Sequence, residues 1–110
     1  MKKIAAVILA IASLMAAPVA YAQSIPRYEP EAYCRQVSDI SGGSAMIFNG
    51  CMDMEQGAYD KRKAEWPSIP AQTASYCDEV ARVSGGSYMI LDGCLDMEAD
   101  AVSSTPSFKF

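Results

Sequence analysis

The chain has 110 residues, with nine Lys and Arg, thirteen Asp and Glu and no His, and carries a formal charge of −4 at neutral pH. Net charge of this sign does not draw a protein to nucleic acid or to an anionic membrane, and the one basic cluster, Lys61-Arg62-Lys63, has Asp60 and Glu65 beside it. The lack of histidine removes the commonest general base and a common zinc ligand.

Residues 1–22 read as an export signal. Met1-Lys2-Lys3 is a short basic start, Ile4 to Ala17 is apolar apart from Ser13, and Ala20-Tyr21-Ala22 offers small residues where a signal peptidase reads them. The apolar run falls short of the roughly 20 residues of a spanning helix, so cleavage after Ala22 is expected, with no integral membrane span afterwards. The remaining 88 residues are more acidic than the whole, since Lys2 and Lys3 are lost. A single small domain of this size buries only about 60–65% of its unfolded surface. Its four cysteines and the export signal therefore imply a disulfide framework in an oxidising compartment, periplasmic or secreted.

Gln23 to Glu29 contains Pro26 and reads as an extended lead-in. Pro30 suits a first helical turn and Glu31 complements the positive helix end, which predicts a helix from about Pro30 to Ser41. Tyr33, Cys34, Val37 and Ile40 follow its three- and four-residue steps. Gly42 is fitted to end that helix in the left-handed conformation and Ser44 to cap the next, with Gly43 in the turn between them. The next helix should run to about Ala64 and lie antiparallel to the first. Trp66-Pro67-Ser68-Ile69-Pro70 is a proline-bounded stop.

The same pattern restarts 43 residues later, with helices expected from about Thr73 to Ser84 and from Ser87 to about Val102. Fourteen identities in the ungapped alignment of 33–55 with 76–98 mark an internal duplication. Tyr33, Cys34, Gly42, Gly43, Ser44 and Cys51 recur as Tyr76, Cys77, Gly85, Gly86, Ser87 and Cys94. Four cysteines allow three pairings, and the symmetry of each Gly-Gly turn between its two cysteines favours Cys34–Cys51 with Cys77–Cys94. Gly50 and Gly93 sit inside the second helix of each copy, where they predict either a close helix approach or a kink.

The expected fold is therefore all-α: two duplicated, disulfide-stapled helical hairpins forming a small four-helix arrangement. The stripes Ile47, Cys51, Met54, Ala58 and Ile90, Cys94, Met97, Ala101 are expected to pack on each other. The organisation reads as a signal peptide (1–22), a first hairpin (23–66), a linker (67–72), a second hairpin (73–102) and a loose tail (103–110).

The frame Tyr-Cys-x-x-Val, Gly-Gly-Ser and Cys-x-x-x-Glu, present at 33–55 and again at 76–98, resembles small exported bacterial proteins that carry this block once or several times. The resemblance implies an exported, helical fold. It carries over no catalytic or binding residue, and no function.

Four residue classes are candidates for chemistry. The cysteines read as staples, because a reactive pair usually appears as Cys-x-x-Cys at a helix start. Met46, Met52, Met54, Met89 and Met97 are soft donors suited to Cu(I), although Met54 and Met97 fall on the stripes and Leu95 stands where Met52 does. Asp92, Asp96 and Asp100 read as a solvated acidic face, with Glu55 and Glu98 placed to bond a backbone or tyrosine group. Tyr33, Tyr59, Trp66, Tyr76 and Tyr88 form the candidate partner surface, since Tyr and Trp bury area while keeping a polar handle. No catalytic residue, resident cofactor or metal site is read from the chain. The function expected is a non-enzymatic module for an unidentified protein or envelope component, with periplasmic Cu(I) handling through the methionines as the alternative.

Overall fold

A computed structural model describes residues 20, 21 and 24–110. The export-signal expectation for 1–22 lies largely outside them. Four α-helices are present: α1 (Pro30–Ile40), α2 (Ala45–Glu65), α3 (Ala71–Val83) and α4 (Tyr88–Ser103). A 3-10 turn over Trp66–Ser68 follows α2. No helix among the described residues is long and apolar enough to cross a membrane.

Each hairpin is built by the residues that announce it. Pro30 opens α1 with Glu31 in its first turn. At its end, Gly43 N donates to Ser38 O (2.9 Å) and Gly42 N to Asp39 O (3.1 Å), the paired bonds of a Schellman motif. Gly86 N to Ala81 O (2.8 Å) and Gly85 N to Arg82 O (3.1 Å) repeat it after α3. Both glycines of each turn have positive φ, 73° and 81° in the first and 97° and 79° in the second. A side chain is disfavoured at all four positions. Ser44 and Ser87 then cap α2 and α4, each accepting through Oγ from the N–H three residues on.

Disulfides join Cys34 to Cys51 and Cys77 to Cys94, with Cα atoms 5.6 and 5.5 Å apart. The observed pairing is the one symmetry favours. Closing a loop of this size contributes about 3 kcal/mol in the chain-entropy account. α3 begins at Ala71, two residues before the expected Thr73, with Pro70 as its N-cap and Ala74 N donating to Pro70 O (3.0 Å).

The two hairpins meet through α2 and α4. Their contact differs from the expected one. Met54 and Met97 are 55% and 74% exposed and Ala101 is exposed, so the matching stripes do not face each other. The cluster between the hairpins joins Ala58 of α2 and the lead-in Tyr28 to Tyr88, Leu91 and Leu95 of α4, with Trp66, Ala74, Cys77 and Ala81 beneath. Glu55 touches the start of α4 and Arg62 touches its middle, so α2 and α4 run parallel.

Glu55 meets Tyr88, whose counterpart in the first copy is Ala45, ten positions before Glu55. The hairpins are thus displaced by about 15 Å along the helix direction at 1.5 Å per residue. Unlike halves pair, which is why like stripes do not. Gly50 and Gly93 have open space where a Cβ would stand, so neither marks a close helix approach.

Candidate functional site

The junction is built on a carboxylate taken out of water. Glu55 is 1% exposed. Its Oε2 accepts from Tyr88 N (2.7 Å) and its Oε1 from Met89 N (3.4 Å), while Ser87 Oγ donates to Oε1. These backbone donors belong to the first turn of α4, which has no carbonyl within its own helix to receive them. The positive helix end and three hydrogen bonds make this buried charge tenable. Of the two glutamates expected to bond a backbone or tyrosine group, Glu55 bonds backbone groups, which belong to the other hairpin, and Glu98 bonds none among the described residues.

One helical stretch further along α2, Arg62 is buried and forks between carboxylates. Its Nε donates to Asp92 Oδ1 (2.5 Å), its Nη2 to Asp96 Oδ1 (2.5 Å) and Asp92 O (3.1 Å), and its Nη1 to Glu65 Oε2 (3.0 Å). Lys61 Nζ adds a contact to Asp92 at 3.1 Å. Burial pushes the Asp92 carboxyl up, but the hydrogen bonds from Arg62 and Lys61 outweigh it and hold the group below its ordinary range. Burial likewise lowers Arg62, while the bonds to Asp96 and Asp92 win and raise it. Asp92 and Asp96 are thus the socket for Arg62, with Asp92 half-buried, while Asp96 and Asp100 remain exposed to solvent as expected.

Three tyrosines close the junction from the side of the lead-in. Tyr28 and Tyr88 rings lie 4.6 Å apart and tilted, and Tyr59 meets Tyr88 edge-on at 4.9 Å. Tyr88 Oη accepts from Tyr28 N (2.9 Å) and donates to Pro26 O (2.9 Å). Tyr28 Oη donates to Asp78 (2.7 Å), which also receives Arg82. Burial first, and then the bond to Asp78, pushes the Tyr28 hydroxyl far above its usual value; burial also raises Tyr88. Neither phenol is an activated nucleophile or base near neutral pH.

A cleft of about 420 Å³ opens beside this cluster. Tyr28, Tyr59, Tyr88, Met52, Ile25 and Pro26 supply its apolar walls, and Arg27, Glu29, Glu31 and Gln56 its polar ones, with Glu55 at its base. A second hollow of about 310 Å³ lies between Ser24, Pro26, Trp66, Ala74, Ser75 and Asp78.

The candidate partner residues separate accordingly. Trp66 and Tyr88 are buried, so they are core rather than surface. Tyr59 and Tyr33 are half-buried, Tyr59 on the cleft and Tyr33 against the Gly85 turn. Tyr76, 53% exposed, stands apart from the cleft. Met54 and Met97, expected to fill core gaps, are solvent-facing, and Met46 is 81% exposed. Among the described residues, no group of three or more His, Cys, Asp or Glu is placed to hold a metal ion.

The contact between the hairpins was not read from the sequence, and several of its residues differ between the two copies. Tyr88, Leu91, Asp92 and Leu95 stand where the first copy has Ala45, Phe48, Asn49 and Met52. Divergence marks part of the contact between hairpins, while Glu55, Ala58, Ser87, Met89 and Asp96 in the same contact recur in the other copy as Glu98, Ala101, Ser44, Met46 and Asp53. Comparison with protein-family models, with curated proteins and with solved structures finds no match for this chain.

Proposed function

We propose that this protein is an exported, non-enzymatic interaction module that receives its partner, a protein or envelope component, at the tyrosine-walled cleft. One observation carries the reading. The charged and hydroxyl groups at the junction, Glu55, Arg62, Asp92, Tyr28 and Tyr88, are all engaged in holding the hairpins together. The cleft beside them joins aromatic and thioether walls to polar side chains, the mixture that favours recognition of another molecule. Two disulfides support an oxidising location, periplasmic or secreted.

The test is capture of envelope proteins and cell-wall fragments on the oxidised protein, with Gln56→Trp as the control that crowds the cleft from an exposed position. Specific capture by the wild type, weakened about tenfold or more by Gln56→Trp, is the expected result. Capture of nothing, or equal capture by both proteins, overturns the reading.

The exposed thioethers of Met46, Met54 and Met97 favour a second reading, Cu(I) handling in the same compartment. A Cu(I) titration against a competing chelator decides it. Uptake lost on replacing these methionines by leucine supports metal handling, and no uptake removes it.

A further inference from the structure

The contact between the two hairpins is head-to-tail: the rear half of α2 docks on the front of α4, displaced by about 15 Å. A contact of this kind leaves both of its halves unused at the ends of the array. The second copy carries the docking half again, as Glu98, Ala101 and Val102 in the places of Glu55, Ala58 and Tyr59. The first copy carries the receiving half again, as Ser44, Ala45 and Met46 in the places of Ser87, Tyr88 and Met89.

Both are open where their internal equivalents are filled. Ser44 spends its Oγ on Ile47 N and its carbonyl on Phe48 N, as Ser87 does on Ile90 N and Leu91 N. Tyr88 N and Met89 N are taken by Glu55; Ala45 N and Met46 N receive no carboxylate among the described residues. Ala58 is buried while Ala101 is exposed, and Met46 and Val102 are 81% and 77% exposed. Glu98 is half-buried and takes part in no hydrogen bond or ion pair among the described residues.

We propose that a second copy of this chain completes the pattern, placing its Glu98 on the first turn of α2 as Glu55 sits on the first turn of α4. Charge complementarity favours this occupant, a carboxylate meeting the positive end of a helix whose internal counterpart already holds one. The displaced, head-to-tail geometry does not close, so association is open-ended and adds copies one at a time. It is also weaker than the internal contact. Arg62 has Thr105 as its counterpart, beyond the end of α4, and its sockets Asp92 and Asp96 correspond to Asn49 and Asp53. The buried ion-pair fork is therefore missing between copies. This surface borders the cleft only at Met52, the counterpart of Leu95, and none of Ser44, Ala45, Met46, Glu98, Ala101 and Val102 lines it, so its test is independent of whether the cleft binds anything.

Sedimentation of the oxidised protein between about 10 µM and about 1 mM, at about 0.15 M salt, reads the association directly. The average mass is expected to rise with concentration beyond that of a dimer. Glu98→Ala should weaken association about tenfold or more. Ala45→Glu supplies the helix end with its own carboxylate and repels Glu98, so it should abolish association without unfolding α2. Each variant is folded by circular dichroism before use. The decisive arm mixes the two. Glu98→Ala keeps a receiving end and Ala45→Glu keeps a docking end, so the mixture should form dimers and nothing larger. A wild type that stays monomeric over the range overturns the proposal. So do variants that associate as the wild type does, or a mixture no heavier than its components.

Discussion

Glu55 and Glu98 occupy the same place in the repeat and do opposite work. Glu55 holds the first turn of α4 and is withdrawn from water, whereas Glu98 is half-buried without a hydrogen-bonding partner among the described residues. Glu55→Ala strands Tyr88 N, Met89 N and the Ser87 hydroxyl, a cost of about 3 kcal/mol. The thermal midpoint of a domain this small should fall by roughly 10–20 °C. Glu98→Ala, measured in dilute solution, should move stability by less than about 0.5 kcal/mol. Equal losses in a thermal melt would mean that the Glu55 cap carries no weight.

Asp92 makes a second prediction at this scale. Its folded pKa lies below the ordinary value of 3.8 because hydrogen bonds from Arg62 and Lys61 outweigh burial. The stability it contributes is present in full above that ordinary value and is lost as pH falls through the lowered one. The wild type should therefore lose stability as pH falls below about 4. Asp92→Asn should be less stable near neutrality and flatter across that window. Chemical unfolding curves collected along the acid range provide the comparison.

Among the elements, the two turns separate backbone preference from packing. Gly43 and Gly86 have nearly equal positive φ, 81° and 79°. A Cβ at Gly43 meets open space, while one at Gly86 comes within 3.5 Å of the Tyr28 side chain. Gly43→Ala should cost only the left-handed conformational penalty, about 1 kcal/mol. Gly86→Ala carries the same penalty and sits in van der Waals contact with Tyr28. Its cost should be as large or slightly larger, and a stabilising effect at either position would contradict the turn assignment. The disulfides act on the same hairpins. Removing Cys34–Cys51 by paired serine substitutions should cost about 3 kcal/mol. The first hairpin should loosen locally, because few of its own apolar groups lie in the main core.

At the scale of the whole molecule, the core is unevenly shared. Tyr28, the rear of α2 and the second hairpin supply the buried cluster, while Ile40 and Met46 of the first hairpin are 89% and 81% exposed. The first hairpin relies on its staple and its turn; the second also rests on packing. Native-state hydrogen exchange should therefore show α1 and the front of α2 opening at lower free energy than α4. Uniform protection would argue for a single shared core. At high pH the molecule meets a second limit. Burial, with the Asp78 bond at Tyr28, raises both the Tyr28 and Tyr88 hydroxyls above the ordinary 10.0. Their contribution is intact below that value and declines as pH climbs above it toward the raised ones. Tyr88→Phe should reduce that alkaline loss.

Helix limits, turns, caps and disulfide pairing were legible because they depend on neighbours in the chain. Pro30 opens a helix, Gly42-Gly43 supplies two left-handed residues, Ser44 bonds three residues ahead, and Cys34 faces Cys51 across a short loop. These are local preferences, and the duplication states them twice. How the hairpins meet was not legible. Their register depends on which surfaces exclude water best when two preformed units come together, and identical stripes implied a symmetric answer. Only the tertiary structure decided that the rear of α2 would meet the front of α4, with Glu55 as a helix cap, Arg62 in an acidic socket and Tyr88 under the lead-in. The physical reason is that a buried carboxylate or guanidinium is stable only where its partners converge. Those partners lie some 30 residues away in the chain and next door only in the fold.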